Sequence, residues 1–103
     1  MAEVIWTDPA LSDLNETAEY IALDNLVAAK LLVQSVFEKV ERLELFPESG
    51  RIPPELQHLS YREVVVSPCR VFYKQEGDTV FILHVMREER DLRKFLLSQQ
   101  SSS

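Results

Sequence analysis

Val80-Phe81-Ile82-Leu83-His84-Val85-Met86 is almost continuously apolar. A strand with one wet face alternates apolar and polar residues, whereas a strand covered on both faces does not. The run therefore predicts a central strand over Thr79–Met86. Two short stretches rich in β-branched and aromatic side chains precede it, and they predict strands over Tyr61–Val66 and Arg70–Lys74. Ser67-Pro68 and Glu76-Gly77-Asp78 supply the turns, the second with a glycine for a positive φ. Turns this short make neighbouring strands antiparallel. On an ideal strand His84 shares a face with Val80, Ile82 and Met86, which reads as a buried, hydrogen-bonded, neutral imidazole.

Upstream, Phe46 to Ser60 carries Pro47, Pro53, Pro54 and Gly50 and is read as a loop. Phe46, Ile52 and Leu56 are expected to pin it to the body. Two amphipathic stretches lie before the loop. Leu11, Leu14, Ala18, Ile21 and Ala22 keep helical spacing. That helix is capped by Asp8, has Pro9 in its first position and ends near Leu23. Asn25 caps a second helix with an apolar stripe of Ala29, Leu32, Val33, Val36, Phe37, Val40 and Leu43. Glu38 and Arg42 stand four apart in the favourable order for a pair. The short link between the helices implies an antiparallel hairpin. Glu3-Val-Ile-Trp6 reads as a strand whose partner the residues leave open. Past the central strand, Leu92, Phe95 and Leu96 predict a short closing helix. Residues 98–103 read as a disordered polar tail. The order defines an α+β domain over residues 1–97: an N-terminal strand and an antiparallel helical hairpin packed on a three- to four-stranded, mainly antiparallel sheet.

Composition narrows the functions. The chain has 103 residues and one cysteine, Cys69, which excludes an internal disulfide framework. It has no run approaching the ~20 apolar residues of a membrane span. Met1-Ala2-Glu3-Val4 lacks a secretory signal pattern, so a cytosolic location is the default expectation. The net charge is −6, which argues against direct nucleic-acid binding by the chain alone. Residues 1–60 hold four Lys/Arg against eleven Asp/Glu, and residues 61–103 hold seven against six. A cationic patch is therefore expected only in the second half. Arg62 and Arg70 stand near the ends of the first strand pair. Arg87, Arg90, Arg93 and Lys94 cluster after the third strand.

Few residues suggest catalysis. His58, Cys69 and His84 lack the close spacing of zinc sites, so no metal or cofactor is expected. A Cys69–His84 nucleophile and base has nothing to orient it. Two glycines cannot build a phosphate-binding loop.

Several segments nevertheless form a recognisable set. Ile5-Trp6-Thr7-Asp8-Pro9-Ala10-Leu11-Ser12-Asp13-Leu14 and Glu19-Tyr20-Ile21-Ala22 resemble the opening of ParE toxins in the RelE/ParE superfamily. Leu45-Phe46-Pro47-Glu48-Ser49-Gly50-Arg51, Tyr61-Arg62-Glu63-Val64-Val65-Val66 and Cys69-Arg70-Val71-Phe72-Tyr73 are similar to later segments of the same family. Val80–Val85 and Arg87-Glu88-Glu89-Arg90-Asp91 complete the set. The resemblance spans roughly residues 4–97. It implies a toxin neutralised by a cognate ParD-like antitoxin, on a helical hairpin packed against an antiparallel sheet. ParE-like members are understood to poison DNA gyrase by binding, whereas RelE-like members cut mRNA on ribosomes. The RelE branch commonly places lysines on the strand matching residues 61–66, where this chain has Tyr61 and Glu63. It also places a late tyrosine, and this chain has none after Tyr73. Arg70 and Arg87 do match its basic positions, but arginine stays protonated and is a poor proton carrier at neutral pH. The expectation is therefore a non-enzymatic gyrase inhibitor. A RelE-like ribonuclease and a non-toxic, antitoxin-binding relic are the alternatives. Arg87, Arg90 and Arg93 are the expected target contacts. Val71, Phe72, Tyr73, Phe81, Leu83, Leu92, Phe95 and Leu96 are the expected antitoxin surface.

Overall fold

The computed structural model describes residues 1–88; the expected closing helix and tail lie outside them. The elements run β1 (Glu3–Trp6), α1 (Asp8–Ala22), α2 (Leu26–Glu41), β2 (Tyr61–Val66), β3 (Cys69–Glu76) and β4 (Thr79–Arg87). Short 3-10 turns occupy Arg42–Glu44 and Pro54–Leu56. The sheet order is β1-β4-β3-β2, with β4 inside, as its continuous apolar run requires. β1 pairs with β4 in parallel, Ile5 opposite Phe81. The β2–β3 and β3–β4 pairs are antiparallel.

The helix boundaries follow from capping. Thr7, not Asp8, is the first cap: its Oγ1 accepts from the Ala10 N–H at 3.4 Å and donates to the Ile82 carbonyl at 2.6 Å. Asp8 becomes the first helical residue, where its charge favours the positive end of the helix dipole. Pro9 sits one place further in, still among the N–H groups that have no helical partner. Asn25 caps α2 through its Oδ1 and the Ala28 N–H, 3.0 Å apart. Glu38 accepts from Gln34 at 3.2 Å rather than pairing with Arg42, which falls in the 3-10 turn beyond the helix.

The main core lies between the hairpin and one sheet face. Leu14, Leu32, Val36, Val40 and Leu43 meet Val71, Tyr73, Val80, Ile82 and Val85 there. Trp6 packs at its margin and meets the Phe37 ring at 4.9 Å between centroids. A smaller cluster of Leu56, Phe72 and Met86, with Tyr61 against it, occupies the opposite face.

A register break places these residues. Phe72 faces His84, yet Tyr73 faces Ile82, so Leu83 is an extra residue on β4. A bulge of this kind reverses the facing of the residues beyond it. Val85 therefore joins Val80 and Ile82 in the main core. His84 and Met86 turn to the opposite face, so His84 does not share a face with Val80 and Ile82. Strand alternation read from sequence has no means of seeing one inserted residue.

The loop before β2 is held differently from the expectation. Leu56 is buried, but Phe46 and Ile52 are exposed. Polar anchors fasten the loop instead. The buried Tyr73 hydroxyl donates to the Pro47 carbonyl at 2.8 Å and accepts from the Gly50 N–H at 2.9 Å. Arg62 Nη1 donates to the Gly50 carbonyl at 2.9 Å. Arg51 forms a two-way backbone bridge with Glu63 on the outer edge of β2. A Cβ on Gly50 would lie 2.5 Å from the Tyr73 hydroxyl oxygen, so this approach admits only glycine.

Candidate functional site on the open sheet face

The sheet face away from the hairpin carries the candidate site. A cavity of about 380 Å³ opens there, lined by Thr7, Pro9, Leu56, Tyr61, Phe72, Leu83 and His84. The β4 bulge delivers Leu83 and His84 to it, and the loop delivers Leu56. Phe81 lies on the same face, paired with Ile5 and under the Lys74 ammonium, 6.0 Å from the ring centroid.

β1 ends at Trp6, so β4 beyond Ile82 has no strand on that side. Residues at the start of α1 take over its polar groups. The Thr7 N–H and hydroxyl both reach the Ile82 carbonyl. Asp13 Oδ2 accepts from the Val85 N–H at 3.1 Å and faces His84 Nδ1 at 3.2 Å. A carboxylate only accepts, so the proton of this contact sits on Nδ1. Asp13 is thus the residue that orients His84. Sequence reasoning missed it, because a lone acid on an amphipathic helix carries no signal for a contact with a distant strand. His84 is half-buried and hydrogen-bonded.

A buried ionic network lies beside the cavity. Arg70 directs Nε and Nη2 at Glu63 Oε2, at 3.1 and 2.6 Å. Its Nη1 and Nη2 bind Glu55 Oε2 and Oε1 at 2.9 and 2.8 Å. Glu63 is fully buried, and its other oxygen takes Arg51 at 2.7 Å. The hydrogen bonds that Arg70 donates to Glu55 and Glu63 hold its guanidinium still further above its usual high pKa, against the cost of burial. Four of the five guanidinium N–H groups are committed to carboxylates, and the plane lies 4.9 Å from the Phe72 ring centroid. Two arginines and two glutamates make the group neutral.

The structure separates the sequence-predicted residues into groups. Phe72 and Leu83 line the cavity, and Phe81 lies beside it. Val71 and Tyr73 point the other way and are fully buried in the main core, so they cannot form part of a docking surface. Arg87, at the end of β4, lies over the Tyr20 ring at 5.1 Å. A second recess lined by Asp13, Glu16, Thr17, Tyr20 and Met86 surrounds it. Arg90, Arg93, Leu92, Phe95 and Leu96 lie outside the described residues. Cys69 is buried on the hairpin side of the sheet and His84 faces the other, which rules them out as a dyad. Among the described residues no group of three His, Cys, Asp or Glu is placed to hold a metal. No helix among them is long and apolar enough to cross a membrane.

Comparison with known proteins agrees with this architecture. The solved structure of a chromosomal ParDE toxin–antitoxin system from P. aeruginosa superposes with a TM-score of 0.72 at 25% identity, covering 86% of this chain and 98% of that one. Toxin RelE2 of Caulobacter vibrioides is 33% identical over 89 residues, 84% of this chain and 92% of that protein. Both point to one class, the small α+β toxins of the RelE/ParE superfamily. The family model for the ParE toxin of the type II parDE toxin–antitoxin system matches residues 4–92, and the chain belongs to that family.

Proposed function

We propose that this toxin acts by binding and inhibiting DNA gyrase, and that a ParD-like antitoxin neutralises it at the open sheet face. The state of Arg70 carries the first part. A ribonuclease of this fold needs free positive charge around the scissile phosphate. Here the buried arginine at the matching position is already neutralised by Glu55 and Glu63. Glu63 itself stands on the strand where the ribonuclease branch carries lysines. Arg87, with Arg90 and Arg93, supplies the target contacts in this reading.

The antitoxin part rests on the cavity formed by Leu56, Tyr61, Phe72, Leu83 and His84, with Phe81 beside it. It is apolar, open and large enough for bulky side chains. A partly disordered antitoxin segment that folds on contact suits it.

Two assays test the reading. Purified toxin is expected to stop gyrase supercoiling and accumulate cleaved DNA, with the effect lost in Arg87→Ala/Arg90→Ala/Arg93→Ala. Primer extension after induction is expected to show no codon-positioned mRNA cuts. Ribosome-dependent cutting with gyrase untouched would replace this reading by the RelE-like one, which the name of the Caulobacter relative favours.

A further inference from the structure

We propose that the closed end of the α1–α2 hairpin is a second docking surface, which takes a basic amphipathic helix of a partner protein. Leu23 is 87% exposed, Val27 66%, and Leu26 and Leu31 57% each. Val27 and Leu31 are one turn apart on the side of α2 away from Ala29, Leu32, Val36 and Val40. Leu23, the C-cap of α1, and Leu26, the first residue of α2, flank the turn beside them. None of the four belongs to either core cluster among the described residues. Scattered apolar residues on a surface need no explanation, but a cluster of large ones marks a contact site.

The charge around the cluster selects the occupant. From Asp8 to Glu41 the hairpin holds seven acidic residues and two lysines, a balance of −5 in a chain of −6. Asp24 stands in the turn between Leu23 and Leu26 and is exposed, as are Glu16, Glu19 and Glu38 along the same helices. Glu19 and Glu38 accept hydrogen bonds from neutral amides of Asn15 and Gln34. Among the described residues no ion pair neutralises Glu16, Glu19, Asp24 or Glu38. A second copy of this chain would bring two such acidic ends together, against their repulsion. A helix with a leucine-like stripe between rows of Lys or Arg matches both the apolar cluster and its acidic border. The surface lies on the outer side of the helical layer, whereas the open sheet face lies beneath the sheet. The two can be occupied together, and the inference does not rest on the proposed function.

The test uses full-length protein labelled with ¹⁵N and two designed peptides of roughly 18 residues, about five helical turns. One carries leucines at helical spacing with lysines on its polar face, the other the same leucines with glutamates. The lysine peptide is expected to bind at least about tenfold more tightly, with amide shifts centred on residues 23–31. Leu26→Ser/Val27→Ser/Leu31→Ser should keep its circular dichroism spectrum and lose at least about tenfold in affinity. Glu16→Gln/Glu19→Gln/Asp24→Asn/Glu38→Gln should also weaken binding. Equal binding of the two peptides, shifts centred on Phe72, Phe81 and Leu83, or undiminished binding by the serine variant would each overturn the proposal. So would a concentration-dependent dimer that the serine variant abolishes, since a second copy would then be the occupant.

Discussion

Glu63→Gln is the sharpest test of how the loop, the sheet and the candidate site are tied together. Glu63 is fully buried, and its two oxygens serve two arginines on different elements. Glutamine keeps the shape but turns an NH₂ group toward one guanidinium. Arg51 is 61% exposed, so its pair contributes on the order of 0–1 kcal/mol. Arg70 is buried, and removing one partner of a buried pair costs roughly 3–5 kcal/mol. Arg70 keeps its two-point contact with Glu55, which sets the expected loss near the lower end, about 3 kcal/mol. At roughly 4–8 °C per kcal/mol for a domain of this size, the melting temperature should fall by roughly 12–24 °C. Thermal and urea unfolding followed by circular dichroism measure this. Hydrogen exchange at the Arg51 and Glu63 amides, which bond to one another's carbonyls, should accelerate together. Arg51→Ala is the control and should cost no more than about 1 kcal/mol. A Glu63→Gln loss below about 1 kcal/mol would refute the reasoning, because the buried carboxylate would then not be what compensates Arg70.

Tyr73→Phe deletes the bond to Pro47 and leaves the buried Gly50 N–H unpartnered, at an expected cost of about 1–3 kcal/mol in urea unfolding. Burial raises the Tyr73 pKa above its usual 10.0, so its contribution is complete below about pH 10 and fades as pH rises through the folded value. The gap in melting temperature between the two proteins should therefore narrow above pH 10. Gly50→Ala forces a methyl against the Tyr73 ring and the Glu63 carbonyl, costing about 1–3 kcal/mol or more. Tyr73→Phe should not rescue it, since Tyr73 Cε1 and the Glu63 carbonyl oxygen remain within 2.8 Å of the added carbon. Thr7→Ala removes the α1 cap and the hydroxyl bond to Ile82, for a loss of about 0.5–2 kcal/mol, and Thr7→Ser should restore most of it.

Local rules carried the sequence reading a long way. Apolar spacing of 3.6 marked both helices, Asn25 marked its cap, and the apolar run from Val80 marked a central strand. The apolar character of Phe72, Phe81 and Leu83 was legible along single strands, but the face of the sheet that each occupies was not. What was missed came from pairs of residues far apart in the chain. Thr7 displaced Asp8 as cap because its hydroxyl also reaches Ile82, on a strand seventy-five residues on. Val71 and Tyr73 were expected on the surface because apolar character does not say which face of a sheet the helices cover.

Sequence alone determined the kind and order of the elements, the antiparallel arrangement of the last three strands, and the acidic hairpin set against a more basic second half. These depend on neighbours within a few residues, where spacing, turn chemistry and charge act directly. Only the tertiary structure decided that β1 runs parallel to β4, that Leu83 is an inserted residue, that Asp13 holds His84, and that Glu55 and Glu63 neutralise Arg70. Each of those depends on which distant groups meet in a low-dielectric interior, where a polar atom must find a partner. The choice among possible partners is made by how the whole chain packs.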